Sequence, residues 1–387
     1  MATQYRHVAI AHGTSPDLEL DQAIHVADNR ILWMGPDEDA PAVAAGDRVI
    51  DGGGATVVPG MVDAHSHTVL PGGSHWIARI DDSTEELLRV AEENGEIAHR
   101  AGTRWFRDVG SPPREGKALA LRVRDSWQSR RDRPYVRAAG SWISKAGVLP
   151  STIDIEAADA DELVTAVKGQ LADGVDLIKL YMDGPDAETS PWTAAEVAGA
   201  VAVAGNRGVR VTAHATRLSG ARAAVSGGVD CVEHGSHLDA DLAIDMAELG
   251  TFLVPTLGVL ASWETFSSTT TVERFAGSTG KSALVDRKEV AYGSVRLAQD
   301  AGVRIAAGTD FGGGSLRANQ MAWEVECLVA AGLSPWQALG AATWMGGDLL
   351  REPAAGRLVS GGPADFFLVH GNPLEDPAAL WRVWKVA

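Results

Sequence analysis

The sequence predicts an α/β protein: a (β/α)8 TIM barrel that carries a small β-sandwich domain built from both chain ends. Three observations lead to this prediction. Eight strand-like apolar segments follow one another between residues 57 and 313, helical segments separate most of them, and the two chain ends carry only short strands. Strands that alternate with helices are typical of a parallel barrel.

The chain ends show the strand pattern without helices. Residues 1–58 contain "RHVAIAHG", "QAIHVADNRILWMGP" and "RVIDGGGATVVPG", which are rich in strand-forming residues and are interrupted by Asp-Asn and Gly turns. From about residue 351, "AAGRLVSGGPADFFLVHGNPL" returns to short strands. We therefore expect residues 1–58 and 351–387 to form one composite β domain and residues 59–350 to form the barrel.

The barrel region alternates between two periodicities. The predicted strands are, in order, "VVPGMVDAHSH", "TRWFRDVG", "YVRAAGSWIS", "VDLIKLYMDG", "GVRVTAHAT", "VDCVEHGS", "TFLVPTLG" and "GVRIAAGTDFGG". Between them lie stretches such as "DADELVTAVKGQLADG", "WTAAEVAGAVAVAGNRG" and "RKEVAYGSVRLAQDAG". These stretches carry apolar residues at helical spacing, and most end in Gly, which predicts helices.

Composition restricts the functional class. The 387 residues are 45% hydrophobic and 22% charged, and the formal charge is −17 at pH 7. This charge argues against a nucleic acid or an anionic membrane as partner. Cys231 and Cys327 cannot build a disulfide framework, and we recognise neither a signal peptide nor an apolar run of bilayer length. We expect a cytoplasmic protein with a small-molecule substrate, and a homo-oligomer is compatible with the sequence.

Polar residues of one chemical kind stand at the ends of the predicted strands. In (β/α)8 barrels the chemistry lies at the carboxyl ends of the strands. An unpaired charge in or just after an apolar strand is expensive, so these residues need partners. Together they form a ligand set for two divalent metal ions, of which zinc is the expected one. The residues are His65, His67, Lys179, His214, His234 and Asp310.

Lys179 is the unusual member of this set. A protonated amine beside two dications is electrostatically unfavourable, whereas the amine can react with carbon dioxide to give a carbamate with two anionic oxygens. A carbamate can bridge two metal ions. The alternative is a structural barrel lysine that pairs with a carboxylate.

Six motifs in order give the sequence a family resemblance. "VPGMVDAHSH", "RDVG", "IKLY", "AHAT", "VEHGS" and "GTDFGG" resemble the amidohydrolase superfamily, in particular the binuclear branch with Xaa-Pro dipeptidase-like and imidazolonepropionase-like enzymes. "GLSPWQALGAAT" and "AGRLVSGGPADFFLVHGNPLED" resemble its closing segment. The resemblance implies that His65, His67 and Asp310 hold one metal ion and that His214 and His234 hold the other. Carboxylated Lys179 and a hydroxide would bridge the two ions.

Further residues near the predicted site are candidates for substrate contact. For each one a structural or solvent-exposed role is the alternative. The chain also departs from the branch, because "SWISKAGVLP" has no His and Thr216 stands where many relatives carry a second His. The substrate can therefore differ from theirs. The candidate substrate contacts are Tyr181, His237, His75, Arg217 and Lys145.

The favoured function is hydrolysis of an amide-type C–N bond in a dipeptide, an N-acyl amino acid, or a cyclic amide or imidazolone. Asp310 would both ligate metal and act as general acid and base. The alternative enzyme is a mononuclear-metal deaminase of an exocyclic amine on the same fold. Such deaminases generally lack the strand-4 lysine and carry Glu three residues after the strand-5 His, where this chain has Arg217. A non-catalytic scaffold is disfavoured because all the ligands are present.

Overall fold

The computed structural model describes residues 1–149, 152–186 and 188–387. Its strands are β1 (Thr3–Ile10), β2 (Glu19–Ala27), β3 (Arg30–Pro36), β4 (Arg48–Asp51), β5 (Thr56–Pro59), β6 (Met61–Ser66), β7 (Thr103–Asp108), β8 (Pro113–Arg114), β9 (Lys117–Ala118), β10 (Tyr135–Ala138), β11 (Trp142–Lys145), β12 (Asp154–Ala157), β13 (Leu177–Tyr181), β14 (Arg210–Ala215), β15 (Cys231–His234), β16 (Phe252–Val254), β17 (Phe366–Val369) and β18 (Val383–Val386). Its helices are α1 (Thr84–Arg100), α2 (Leu119–Trp127), α3 (Ala160–Asp173), α4 (Ala194–Gly205), α5 (Leu218–Ser226), α6 (Ala240–Leu249), α7 (Leu257–Phe266), α8 (Glu273–Ala276), α9 (Ser278–Ala301), α10 (Met321–Ala331), α11 (Pro335–Ala341) and α12 (Trp344–Leu350). Short 3-10 helices cover Asp37–Asp39, Trp76–Arg79 and Pro377–Trp381.

One sheet joins the two chain ends. Its strand order is β18-β17-β5-β1-β2-β3, and β4 pairs with β1. Phe367 of β17 lies opposite Val58 of β5 in an antiparallel pair, and Tyr5 packs edge-to-face on Phe366. The predicted sandwich of two sheets is not confirmed, because the described strands of this region all belong to one sheet. The domain boundaries stay predictions.

The remaining long strands are parallel and give an α/β TIM-barrel-like fold. They form a three-stranded sheet, β10-β7-β6, and a six-stranded sheet, β12-β11-β13-β14-β15-β16. Isolated parallel bridges connect Ala139 with Leu177, Leu253 with Ile305, and Ser66 with Phe311. The strands thus follow the expected order, although they do not form one continuous sheet.

Two predicted strands differ from the observed ones. The third prediction, 135–144, splits into β10 and β11, because the chain leaves the ladder at Gly140 and Ser141. The eighth, 302–313, forms only the bridges at Ile305 and Phe311. Its chain turns at Asp310, where φ is 53°, and at Gly312, where φ is 83°. A left-handed backbone cannot continue a strand, so this segment ends as a loop that faces the site.

Helix ends follow the sequence signals. Asp159 and Asp239 cap the starts of α3 and α6 through their side chains, and Thr193 with Glu196 forms a capping box on α4. Left-handed glycines follow α3, α6 and α9, as the predicted Gly endings suggest. In the described part of the chain, no helix combines the length and the apolar character that a bilayer crossing requires.

Candidate metal centre

One cavity lies at the carboxyl ends of the parallel strands, and its volume is about 550 Å³. Parallel strands direct their carboxyl ends to the same side, so residues from distant parts of the sequence meet there. The structure brings the predicted ligand residues together at this cavity. The lining includes His65, His67, Lys179, His214, His234 and Asp310.

His65 and His67 approach the same carboxylate from the end of β6. Their Nε2 atoms lie 3.4 Å and 3.1 Å from Oδ1 of Asp310. Their Nδ1 atoms are engaged elsewhere, 2.5 Å from Oε2 of Glu233 for His65 and 2.7 Å from the carbonyl oxygen of Gly110 for His67. A carbonyl oxygen only accepts, so Nδ1 of His67 donates, and Nε2 keeps its lone pair for a ligand when the ring is neutral.

His214 and His234 form a second pair on neighbouring strands. Nε2 of His234 lies 2.9 Å from Nδ1 of His214. Behind them, Oδ2 of Asp183 lies 3.1 Å from Nε2 of His214, and Oγ1 of Thr256 lies 2.7 Å from Nδ1 of His234. Partners of this kind fix the tautomer and orientation of a metal-binding imidazole.

The two pairs are in contact through a compact group of three residues. His65, His234 and Asp310 each offer one ligand atom, and these atoms all lie within 4.8 Å of one another. Imidazole nitrogen and carboxylate oxygen are the donors that zinc accepts in proteins. The arrangement can hold a divalent metal ion.

Asp310 is held in place as an anion. Burial raises its pKa, but the neighbouring His65 and His67 outweigh burial and hold the pKa of Asp310 well below its usual value. The Asp310 N–H donates to the carbonyl oxygen of His65 at 2.8 Å. Thr309 donates from its backbone N and from its hydroxyl to Asp63, at 2.9 Å and 2.6 Å. These bonds tie the Asp310 turn to β6.

The amine of Lys179 is buried at the base of the cavity. The residue is 1% exposed, and no described residue makes a hydrogen bond with Nζ. Burial lowers the pKa of Lys179 to about 8, although Glu233 opposes this shift. A buried polar atom without a partner is costly. The lining of the cavity therefore includes an amine that no described residue satisfies.

A buried network of charges supports His65. Oε1 of Glu233 accepts hydrogen bonds from Arg107, at 2.7 Å, and from the hydroxyl of Thr212. Burial raises the pKa of Glu233, but the charges of Lys179, Arg107 and His65 outweigh it and hold that pKa well below its usual value. Glu233 is thus a carboxylate that accepts from Nδ1 of His65 and leaves Nε2 to the cavity.

Two glycines allow the backbone to approach the rings of β6. A Cβ at Gly313 would lie 2.1 Å from Cδ2 of His67, and a Cβ at Gly308 would lie 2.7 Å from Cβ of His65. Both distances are shorter than real Cβ contacts, so only glycine fits at either position. The close backbone confines both imidazoles to their present positions.

The candidate substrate contacts divide into two groups. Tyr181, His237 and Arg217 line the cavity. Tyr181 stacks on His214 with ring centroids 4.3 Å apart, and Nδ1 of His237 donates to the carbonyl oxygen of Thr216 at 2.8 Å.

The other two candidates lie outside the lining. His75 is exposed and precedes the 3-10 helix Trp76–Arg79. Nζ of Lys145 lies 3.6 Å from Glu196 and 4.2 Å from the centre of the Trp192 ring. Their substrate roles stay predictions without a contact to support them.

Sequence reasoning missed three residues that orient the ligands: Glu233, Arg107 and Asp183. A signal was available for the first two, because each is a charged residue inside a predicted strand, and a charge that is buried there needs a partner. The signal for Asp183 was weaker, because this residue follows β13 in a loop-like segment. Its role depends on a contact with β14 that only the fold creates.

The chain matches one protein family over most of its length. The model of the amidohydrolase family matches residues 56–386. This chain belongs to the amidohydrolase family. The match covers the strands that carry the site and the last strands of the sheet, so the resemblance predicted from the motifs is confirmed.

Similar proteins place this amidohydrolase among hydrolases of C–N bonds. An uncharacterized protein of Mycobacterium tuberculosis is 30% identical over 342 residues, which are 87% of this chain and 85% of that protein. The imidazolonepropionase of Salinispora tropica is 28% identical over 380 residues, 93% of this chain and 88% of that enzyme. A solved Xaa-Pro dipeptidase with methionine in its active site is 25% identical with a TM-score of 0.85, covering 100% of this chain and 98% of that one.

Proposed function

We propose that this amidohydrolase cleaves an amide-type C–N bond with two divalent metal ions, by preference zinc. Its substrates would be dipeptides, N-acyl amino acids, or cyclic amides and imidazolones, the classes to which its named relatives point. One observation carries the proposal: the four imidazoles of His65, His67, His214 and His234, one carboxylate and one unpartnered buried amine line the same cavity. Fewer donors would suffice for a site with one ion.

The donors fit two ions. His65, His67 and Asp310 would hold one ion, and His214 and His234 would hold the other. Each imidazole has one ring nitrogen engaged by the protein, which leaves the other for metal. The neutral Lys179 amine would add carbon dioxide and release a proton, and the resulting carbamate would offer two anionic oxygens as metal donors.

The chain's own groups divide the remaining work. When bound, two divalent ions lower the pKa of water and polarise a carbonyl group. Oδ1 of Asp310 faces the two β6 imidazoles, so Oδ2 is the atom that would accept a proton from the attacking water and deliver it to the leaving nitrogen. Glu233 and Asp183 keep the rings in position by accepting from their outer nitrogens.

Metal analysis combined with a hydrolysis screen tests the proposal. Purified protein should contain two divalent ions per chain or take them up after stripping, and the loaded protein should release an acid and an amine from at least one member of the three substrate classes. The stripped protein is the matched control and should be folded but inactive. A fully active protein with one ion or none would contradict the two-ion site.

A further inference from the structure

The mouth of the cavity is cationic although the whole chain has a formal charge of −17. Arg217 and Arg287 both line the cavity and both are exposed. Among the described lining residues the one acidic side chain is Asp310, which already faces His65 and His67. No described carboxylate pairs with either guanidinium.

Two arginines and a histidine come from one sector of the mouth. Arg217 follows β14 directly, His237 follows β15, and Arg287 lies on α9, which follows β16. These three strands are consecutive in the sheet, so the three segments are neighbours. The Nδ1 atom of His237 donates to Thr216, which leaves its Nε2 available.

Apolar side chains line several parts of the cavity. Trp76 and Ile77 follow β6, and Trp142 lies in β11, with its ring centroid 5.2 Å from that of His67. Other apolar residues that line the cavity follow β16 in the chain, as Arg287 does; they are Pro255, Val259, Leu260 and Trp263. A molecule in the cavity would therefore meet both apolar surface and positive charge.

We propose that the substrate is an amphiphilic anion whose carboxylate is bound by Arg217 and Arg287 while its apolar group packs on the apolar lining, which includes Trp76 and Trp142. The proposal rests on the proposed function for the bond that is cut. A guanidinium offers a planar set of donors that matches a carboxylate. A cleft of one charge sign also concentrates ligands of the opposite sign, which matters here because the rest of this acidic chain repels anions.

Binding of two small probes tests the proposal without hydrolysis. Phenylpropanoate has a carboxylate and an aromatic ring but no C–N bond, and phenylpropanol is its uncharged counterpart. We expect metal-loaded wild-type protein to bind the acid about 10-fold more tightly than the alcohol, as measured by calorimetry. Arg217→Met and Arg287→Met should each weaken acid binding about 5- to 30-fold and leave alcohol binding unchanged, in the range of a charged hydrogen bond at a partly exposed site.

Arg296→Met is the matched control, because Arg296 is an exposed arginine on the same helix α9 but does not line the cavity. It should leave the affinity for both probes unchanged. The proposal is overturned if Arg217→Met and Arg287→Met bind both probes as this control does. It is also overturned if these variants lose the same fraction of their affinity for the acid and for the alcohol. If the acid preference depends on the arginines but the hydrolysis screen yields no product, the proposed function fails and the anion site stands.

Discussion

Nε2 of His234 lies 2.9 Å from Nδ1 of His214, and the two nitrogens come from neighbouring parallel strands. Two imidazole lone pairs at this distance repel each other unless a proton or a cation lies between them. Asp183 and Thr256 hold the rings from behind, and under the proposed function the pair would share a cation. This relationship leads to the first prediction.

Asp183→Asn should weaken the ion between His214 and His234. The amide has no negative charge, and it can present its NH₂ group to Nε2, which would place the proton of His214 on the ligand nitrogen. Loss of such a partner typically costs about 10- to 100-fold in metal affinity, and we expect that loss for one of two ions in a competitive zinc titration. Asp245→Asn, an exposed residue of α6, should leave both affinities unchanged; an equal loss there would contradict the prediction.

Lys179→Ala should remove the bridge and most of the activity. The variant leaves space beside the ligands, and a short carboxylate such as propionate supplies two anionic oxygens that can occupy it. We therefore expect partial recovery of turnover as propionate is added, measured with whichever substrate the hydrolysis screen identifies. Lys168→Ala, on the exposed face of α3, is the control and should neither lose activity nor respond to propionate. Near wild-type turnover and metal content in Lys179→Ala would exclude the carbamate.

Asp310→Asn should separate proton transfer from metal binding. The substitution keeps the size and one oxygen, so some metal should stay bound, but the amide cannot accept a proton at neutral pH. General acid and base groups contribute about 10²- to 10⁴-fold to the rate, and we expect kcat to fall by at least the lower value. Steady-state kinetics on metal-saturated protein measure this, and an unchanged kcat would restrict Asp310 to ligation.

The six candidate residues could be chosen from the sequence because strand ends are readable from apolar runs, and they line one cavity, but the sequence did not predict how His234 enters the site. In the register of β14 and β15, His214 lies opposite Glu233. Glu233 faces inward, so strict alternation would direct the adjacent His234 outward. The left-handed backbone at His234, where φ is 70°, breaks the alternation and lets both side chains reach the site. Such strain is enforced by the fold and is not visible in a residue pattern.

The sheet at the chain ends is a second feature that the sequence predicted only in part. The sequence of residues 1–58 and 351–387 indicated short strands but not the number of sheets. Alternation of apolar and polar residues indicates that one face of a strand is buried, but it does not indicate what packs on that face. The Arg6–Asp37 pair was equally hidden, since it joins β1 to a 3-10 helix after β3.

Asp37 should make folding sensitive to acid. Hydrogen bonds from Arg6 lower the pKa of Asp37 from 3.8 to about 2, with further help from the His7 N–H. A depressed folded-state pKa contributes stability that is complete above pH 3.8 and is lost as the pH falls toward 2. We expect Asp37→Asn to have a lower urea midpoint of unfolding than wild type at neutral pH. Between neutral pH and about pH 3, the midpoint of the variant should fall by less than the midpoint of wild type. The exposed Asp39→Asn should match wild type at both values; identical pH dependence in all three proteins would contradict the prediction.

The last prediction concerns the bond that breaks, which separates amide hydrolysis from deamination. Hydrolysis gives a new carboxylate and an amine, or opens a ring without loss of nitrogen, whereas deamination releases ammonia from an exocyclic amine and leaves the ring closed. Two residues favour the first outcome. Lys179 can supply a bridge, which only a site with two ions uses, and Arg217 stands where a deaminase carries a Glu. An arginine keeps its proton at any working pH, so it cannot shuttle one to a ring nitrogen.

We therefore expect mass spectrometry to find a carboxylate and an amine whose masses sum to substrate plus one water, or one ring-opened product of that mass. An ammonia assay run in parallel should stay at background unless the substrate is a primary amide. Carrying out the reaction in ¹⁸O-labelled water should place the label in the new carboxylate, because the attacking oxygen comes from solvent. A ring-closed product in which labelled oxygen has replaced an amino group, with equimolar ammonia, would establish the deaminase instead.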